Sequence, residues 1–454
     1  PKSIIADILF SVPAVNSTSW SQDKKERKIS KQIIFFIRIG YFKLFFWVNL
    51  INYYKIINII NEYSLMMLKS KKEKVIIALS GGVDSSVAAY LLKKQGFDVI
   101  ALFMKIWHQN ESQQECPWKE DSSYAMEVAE KLNIPFHVID LSKEYEKRII
   151  NYMFEEYSIG RTPNPDILCN KEIKFDVFLK YALQLNAKYI ATGHYCIKRK
   201  EKNTYKLISG LDKNKDQSYF LCQLNQKQLS KILFPIGEMV KDDVRKLAEK
   251  IKLPTAKRKD SQGLCFVGKI KIPEFLSEKL PKKKGNIIEI PFESKLYKKE
   301  KVDISEESKK IIYKENDGIF IGNHDGAHFF TIGQRKRINI GGKEKPLFVI
   351  STDIKKNIVF VGMGEDHPGL YQNSLRMKKS KTNWIREDLR LKNNEKKEFL
   401  IRTRYRQKLK KGTIISQEEN LYIKFKTPQK SVTPGQFASW YLKDELIGSG
   451  VIEN

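Results

Sequence analysis

Cysteine is scarce in this chain: five in 454 residues, an odd number, with no two spaced as C-x-x-C. That argues against a disulfide framework, a zinc ribbon or an obvious iron–sulfur site. It suits a reducing compartment in which single thiols act as reagents. Long apolar runs are also missing. The apolar stretch 33–60 is broken by Arg38, Lys43 and Lys55, and its longest uncharged run is 44–54. A helix needs roughly 20 such residues to cross a bilayer. Acids are outnumbered, 53 against 82 lysines and arginines, for a net charge of +29. The excess is spread along the whole chain. It reads either as a polyanion-binding surface of the kind RNA needs, or as a composition rich in Lys, Asn and Ile throughout. The length allows two or three domains.

Residues 1–70 carry ten basic and four acidic residues, with Ser and Asn among aromatics. They read as a leader that directs the chain to an organelle. The expected destination is the matrix of a plastid-type organelle or a mitochondrion, or the cytoplasm if this is not a leader. The apolar stretch inside it suits a membrane surface or a signal remnant. No stable membrane partner is expected.

The chain is organised around residues 74–96. Residues 75–79 form a short β-branched run that reads as a buried parallel strand. Ser80, Gly81 and Gly82 break it. Val87, Ala88, Leu91 and Leu92 then share one helical face, and Gly96 closes the helix. A glycine-rich turn of this kind presents backbone N–H groups at a helix N-terminus, where anions bind. Its spacing is neither GxxxxGK(S/T) nor GxGxxG. Further runs at 99–104, 136–141 and 189–192 alternate with helical patterns such as 124–132, which implies a parallel sheet covered on both faces. Ligands sit beyond the carboxyl ends of such strands. The loop 80–85, Met104, and Gly193 within ATGHY therefore meet at one edge. Met104 reads as lining a ligand pocket at that edge or as core packing, and Gly193 as letting backbone approach the ligand.

Pro163 and Pro165 stiffen the approach to a helix with Ile173, Val177, Phe178 and Tyr181 on one face. Asp166 and Cys169 then stand near its start, with Lys171 and Lys174 close by. Cys169 reads as a thiol of lowered pKa, or as a buried structural one. Cys265 follows 96 residues later, in a short apolar run between Gly263 and Gly268 beside Lys257, Arg258 and Lys259.

The SGGVDS loop resembles the pyrophosphate loop of the ATP pyrophosphatases. With RTPNPDILCNKEIKF, ATGHY, KDQSYFL, DSQGLCFVG, TIGQRK, TRYRQ and VTPGQ, all in order, residues 74–454 resemble the tRNA-specific 2-thiouridylases. The resemblance implies ATP and Mg²⁺ at Ala78, Leu79, Ser80, Gly81, Gly82, Val83, Asp84, Ser85, Met104 and Gly193. It implies Cys169 as nucleophile, Cys265 as carrier of a persulfide, a transient Cys169–Cys265 disulfide, and Asp166 as acid or base. Asn164, Pro165 and Asp166 would meet the target uridine. His194, Lys215, Asp216, Gln217, Arg404, Tyr405 and Gln436 match positions that touch tRNA, of the Lys, Glu and Gln isoacceptors in this family. A cysteine desulfurase or relay protein would supply sulfur, and no resident metal is implied. Arg337 and Asn339 stand where the family has glycines. Another pyrophosphate-loop ligase acting on RNA, or an inactive RNA-binding relative, is the alternative reading.

The expected architecture is α/β: a Rossmann-like ATP pyrophosphatase domain over 71–270 with a helical tRNA-binding part, a small β-rich domain over 271–346, and a C-terminal β-barrel over 347–454. Residues 291–316 read as a Lys/Glu-rich solvated insertion. In the barrel, strands are expected at 400–405, 421–425 and 437–442. Arg402, Arg404 and Arg406 would project from one strand face, towards phosphate or towards solvent.

Overall fold

The computed structural model describes residues 32, 35, 37–40, 43, 44, 46–59, 72–106, 117–260, 272–298 and 303–453. It divides into two units, Pro1–Lys72 and Glu73–Asn454. Apart from Lys72, the described residues of the first unit are helical, and Phe46, Trp47, Tyr53 and Tyr54 are exposed there. Among the described residues no helix is long and apolar enough to cross a membrane.

The second unit opens with β1 (Lys74–Ala78), β2 (Asp98–Lys105), β3 (Phe136–Asp140) and β4 (Tyr189–Ala191). A hairpin, β5 (Cys196–Glu201) and β6 (Thr204–Ser209), precedes β7 (Ile232–Leu233). The first sheet is wholly parallel, in the order β3-β2-β1-β4-β7. Its central strand shows why a continuous apolar run is needed. Val75, Ile77 and Leu79 face one cluster, with Val87 and Leu92 of α1 (Val83–Lys94) and Val128 of α2 (Pro117–Lys131). Ile76 and Ala78 face the other, with Ile149, Met153 and Phe178. Successive strand residues point to opposite faces, so both sets must be apolar. Burying each isoleucine fully contributes about 1.5–3 kcal/mol. α3 (Lys241–Lys250) packs Val244 and Ala248 into the first cluster.

The middle sheet comprises β8 (Gly285–Glu289), β9 (Ile319–His324), β10 (Leu347–Asp353) and β11 (Ile358–Met363), ordered β10-β11-β8-β9. Residues 347–363 therefore belong to this sheet and not to the barrel, which corrects the expected boundary at 347. The pairing β11–β8 is parallel, a long-range register that local pattern does not encode. The insertion 291–316 is also more than a solvated loop. Its helix Ile304–Ser308 is capped by Asp303, whose Oδ1 accepts from Glu306 N at 2.8 Å. Tyr313 is buried against Phe360, ring centroids 5.5 Å apart. Arg337 and Asn339 keep the turn that glycines would make, at φ 75° and 53°, a conformation that costs roughly 1–2 kcal/mol per L-residue.

The third sheet uses β12 (Tyr371–Lys378), β13 (Thr382–Trp384), β14 (Lys396–Arg402), β15 (Lys410–Gln417), β16 (Asn420–Lys430), β17 (Phe437–Leu442) and β18 (Glu445–Val451). It runs β12-β16-β15-β14-β17-β18, with β13 also on β18. Glu453 N–H donates to Arg376 O across the remaining gap at 3.0 Å. Trp384, Phe399, Ile423 and Trp440 fill the barrel interior. The hairpin β5–β6 extends this sheet through Leu446↔Leu207. Sequence from the first domain thus completes the sheet of the last.

Candidate active site

The strand order reverses direction between β1 and β4, and ligands of open α/β sheets bind at such a switch point. The loops that follow these two strands meet there. Gly81 lies at φ 73°, and a Cβ on it would fall 2.2 Å from Asp121 O. Both the left-handed backbone and the contact demand glycine. Gly82 is the N-cap of α1 and provides no side-chain cap, so the first-turn N–H groups stay available to an anion. Hydroxyls shape the loop instead: Ser85 and Ser86 Oγ donate to Gly82 O at 3.1 and 2.8 Å. Ser80 N–H donates to Ser85 Oγ at 3.2 Å.

Gly193 backs onto this loop. A Cβ there would lie 2.6 Å from Ser85 N. The close approach that requires glycine is thus to the loop's own backbone. Gly193→Ala is expected to lower stability by about 1–3 kcal/mol and to weaken ATP binding by about tenfold, read by thermal melting and calorimetric titration. Wild-type values for both would show that the loop tolerates the displacement. Met104 is buried in one cluster with Ile76, Leu102 and Tyr145.

Asp84, in the first turn of α1, accepts from Tyr195 Oη at 2.7 Å and from Lys241 Nζ at 2.8 and 2.9 Å. Burial, then the Asp84 charge, pushes the Tyr195 phenol well above its ordinary value. Lys241 also meets Asp260 at 2.7 Å, and Asp260 takes Lys215 and Arg245 at 2.7 and 2.6 Å. Burial alone would raise the Asp260 carboxyl, but the ammoniums of Lys215 and Lys241 hold it down at about 2. Its contribution to stability is therefore complete above its ordinary value near 4 and is lost as pH falls through about 2. Lys241, Arg245 and Tyr195 escaped the sequence reading. Asp260 opens DSQGLC, and that adjacency was the only available signal.

The second loop is clamped by the barrel. Gln436 Nε2 donates to Thr162 O and Pro163 O at 2.9 and 3.2 Å. Thr162 N–H donates to Pro434 O at 2.9 Å. Asn164 caps the helix Pro165–Leu168, its Oδ1 accepting from Ile167 N at 3.2 Å. Asp166 is in that helix's first turn, half-buried. Cys169 lies beyond it, at the head of a π-helical stretch Cys169–Val177 that ends with Phe178 N–H on Ile173 O. Such wide turns recur at functional sites. Cys169 is fully buried among Ile167, Ile173 and Phe175. Its surroundings are therefore apolar, and it follows directly on the short helix that Asn164 caps. Cys265 and Cys116 lie outside the described residues.

Three family models match in succession: a tRNA methyl transferase HUP domain over residues 73–269, a tRNA methyl transferase PRC-barrel domain over 302–363, and an aminomethyltransferase beta-barrel domain over 374–452. The chain is 53% identical over 393 residues to the tRNA-specific 2-thiouridylase MnmA of Flavobacterium johnsoniae, covering 84% of this chain and all of that protein. The chain belongs to the tRNA-specific 2-thiouridylase family. Identity is 51% over 387 residues to the relative of the same name from Karelsulcia muelleri, covering 84% of this chain and 99% of that one. Among solved structures, the U34-tRNA thiolase NcsA of Methanococcus maripaludis is similar over 46% of this chain and 66% of its own, at 20% identity and a TM-score of 0.29.

Several positions that the family resemblance assigns to tRNA are engaged inside the fold. His194 is buried, 2.8 Å from Thr192 Oγ1 through Nδ1 and edge-on to Phe234. Burial, then Lys174, holds its imidazole well below the ordinary value. Asp216 is buried too, accepting from Gly210 N, Ser218 N and Arg402; it joins the first domain to the barrel. Gln217 Oε1 accepts from Tyr195 N at 3.0 Å. Arg404 Nη2 donates to Ile332 O and Ser431 O at 3.2 and 2.7 Å, and burial lowers its pKa. The expected row of arginines is not formed. β14 ends at Arg402, and Arg406 sits at φ 64° over the Tyr405 ring. The turn sends the three guanidiniums to three different places. Tyr405 packs on Phe220 at 4.2 Å, both partly exposed.

Proposed function

We propose that this chain is an ATP-dependent tRNA sulfurtransferase that converts the wobble uridine to 2-thiouridine, with release of AMP and pyrophosphate. The observation that carries the reading is the uncapped first turn of α1 behind a preformed SGGVDS loop, in a chain 53% identical to a 2-thiouridylase along that protein's whole length. Uridine O2 is a poor leaving group, so ATP first adenylates it. The N–H groups of α1 then face the charge that develops on the departing pyrophosphate. Among the described residues no cluster of three acidic, His or Cys side chains forms a metal cage. Mg²⁺ is usually held by phosphates, water and one or two carboxylates. Asp84 would be the carboxylate to share it, in exchange for contact with Lys241, and the ion would supply charge neutralisation.

Sulfur arrives as a persulfide on Cys265, loaded by a cysteine desulfurase or relay protein. Its outer sulfur forms the bond to C2 as the C2–O bond to AMP breaks. Cys169 attacks the inner sulfur of Cys265, giving a disulfide that an external thiol must reduce. Alternatively, Cys169 first frees hydrosulfide from the persulfide. Asp166 serves as acid or base beside the uracil. The substrates are the tRNAs for Lys, Glu and Gln, and residues 1–70 carry the enzyme to an organelle matrix. Methyl transfer, the other activity named in the matching models, needs neither a pyrophosphate loop nor two thiols. Mass spectrometry of nucleosides from tRNA incubated with enzyme, ATP and a persulfide donor tests the reading. It predicts 2-thiouridine with AMP and pyrophosphate. ADP and phosphate, or a methylated base, would overturn it.

A further inference from the structure

Residues 256–260 are fastened to the pyrophosphate loop at two places. Arg258 makes the first, donating from Nη1 to Gly81 O at 2.8 Å and from Nη2 to the Asp121 carboxylate on α2. Lys241 makes the second. Its ammonium reaches both carboxylate oxygens of Asp84, at 2.8 and 2.9 Å, and Asp260 Oδ1 at 2.7 Å. Three donors therefore serve three oxygens. The Lys241 side chain is 8% exposed, against 31% for Asp84 and 34% for Asp260. Asp260 is further pinned by Lys215 and Arg245, and Arg245 Nη1 also donates to Ala256 O and Arg258 O at 3.2 and 3.1 Å. Asp260 is thus tied through Arg245 to the backbone of its own segment. An ammonium shared between two carboxylates acts as a strut, because a shift towards either leaves the other short of a partner in a partly desolvated place.

We propose that Lys241 is a positioning residue that makes the geometry of the pyrophosphate loop and that of residues 256–260 depend on each other. The inference rests on the ATP chemistry proposed above, since charge added beside Asp84 alters the competition of the two carboxylates for Lys241. Coupling of this kind is reciprocal: the state of 256–260 changes how the loop holds its ligand. Cys265 follows Asp260 by five residues, so the strut lies immediately upstream of the thiol assigned to sulfur carriage. Lys241 acts through Asp84 and Asp260, and its effect falls on placement.

Hydrogen exchange read by mass spectrometry on the full chain tests this, with and without a non-hydrolysable ATP analogue and Mg²⁺. Analogue binding is measured separately by calorimetry. In wild type the analogue is expected to change exchange at 256–260 by about threefold or more. Lys241→Met is expected to bind the analogue within about fivefold of wild type and to transmit to 256–260 less than half of the change, the part that the Arg258–Gly81 contact still carries. Its thiolation rate falls on the order of 10- to 100-fold, the scale of a small misplacement. Lys241→Arg restores the response, which a merely structural loss would not show. Transmission of half of the change or more by Lys241→Met, or none in wild type with analogue bound, overturns the proposal. Failure of wild type to bind the analogue overturns the ATP reading instead. Should Lys241→Met not fold, Asp260→Asn cuts the same strut from its other end and decides the matter by the same readout.

Discussion

Cys169→Ser is expected to lower 2-thiouridine formation by about 10³-fold or more, while persulfide sulfur still loads onto Cys265. Cys265→Ser is expected to fail earlier: no label is accepted from a radiolabelled donor, yet ATP is still cleaved when tRNA is present, because activation needs no sulfur. The controls come from the same fold. Cys196 and Cys222 are as deeply buried as Cys169, so a serine at each imposes a comparable desolvation cost of about 1–3 kcal/mol. Burial pushes the Cys196 thiol well up and the Cys222 thiol to about 12, and neither lies on the stretch that carries Asn164 and Asp166. Their serine variants are expected to melt lower and thiolate normally. Loss of thiolation at all three buried positions would mean that Cys169 acts through packing. Label persisting on the Cys265 variant would mean that the carrier is assigned wrongly.

Asp84→Ala is expected to lower tRNA-dependent pyrophosphate release by about 10³-fold, the scale of losing one preorganised electrostatic contact. tRNA affinity is expected to stay within about threefold, because the loop is the proposed nucleotide site. The variant also strips Tyr195 Oη of its acceptor and Lys241 of one of its two carboxylates. Asp260 remains on Lys241, so the fold survives with a melting temperature a few degrees lower. Pyrophosphate release at the wild-type rate would remove Asp84 from the chemistry and leave it a structural anchor.

Much of the first domain could be read from local pattern. The run at 75–79, the break at Ser80 and the helical face after it all recur in β1 and α1, because each signal spans only a few residues. The strand expected at 400–405 stops at Arg402. Nothing in the alternation of Arg with Thr and Tyr shows that Asp216, almost two hundred residues earlier, claims the first guanidinium, or that backbone carbonyls claim the second. The insertion 291–316 looked solvated because its Lys and Glu dominate the count. Its few aromatics decide the packing, as Tyr313 does against Phe360.

By itself the sequence determined the pyrophosphate loop, the proline-stiffened approach to Cys169 and the order of the family motifs. Each of these depends on backbone preferences within a few residues: left-handed freedom at Gly81, fixed φ at Pro163 and Pro165, a side-chain cap from Asn164. Only the tertiary structure decided what those pieces lean on. It set Gly193 against Ser85, hung residues 256–260 from the loop through Lys241, clamped the Thr162–Pro163 carbonyls with Gln436, and ran the β5–β6 hairpin into the barrel's sheet. Those contacts join residues tens to hundreds of positions apart. Their partners are selected by burial and charge compensation across the whole fold, and a charged residue carries no local mark of which opposite charge it will meet.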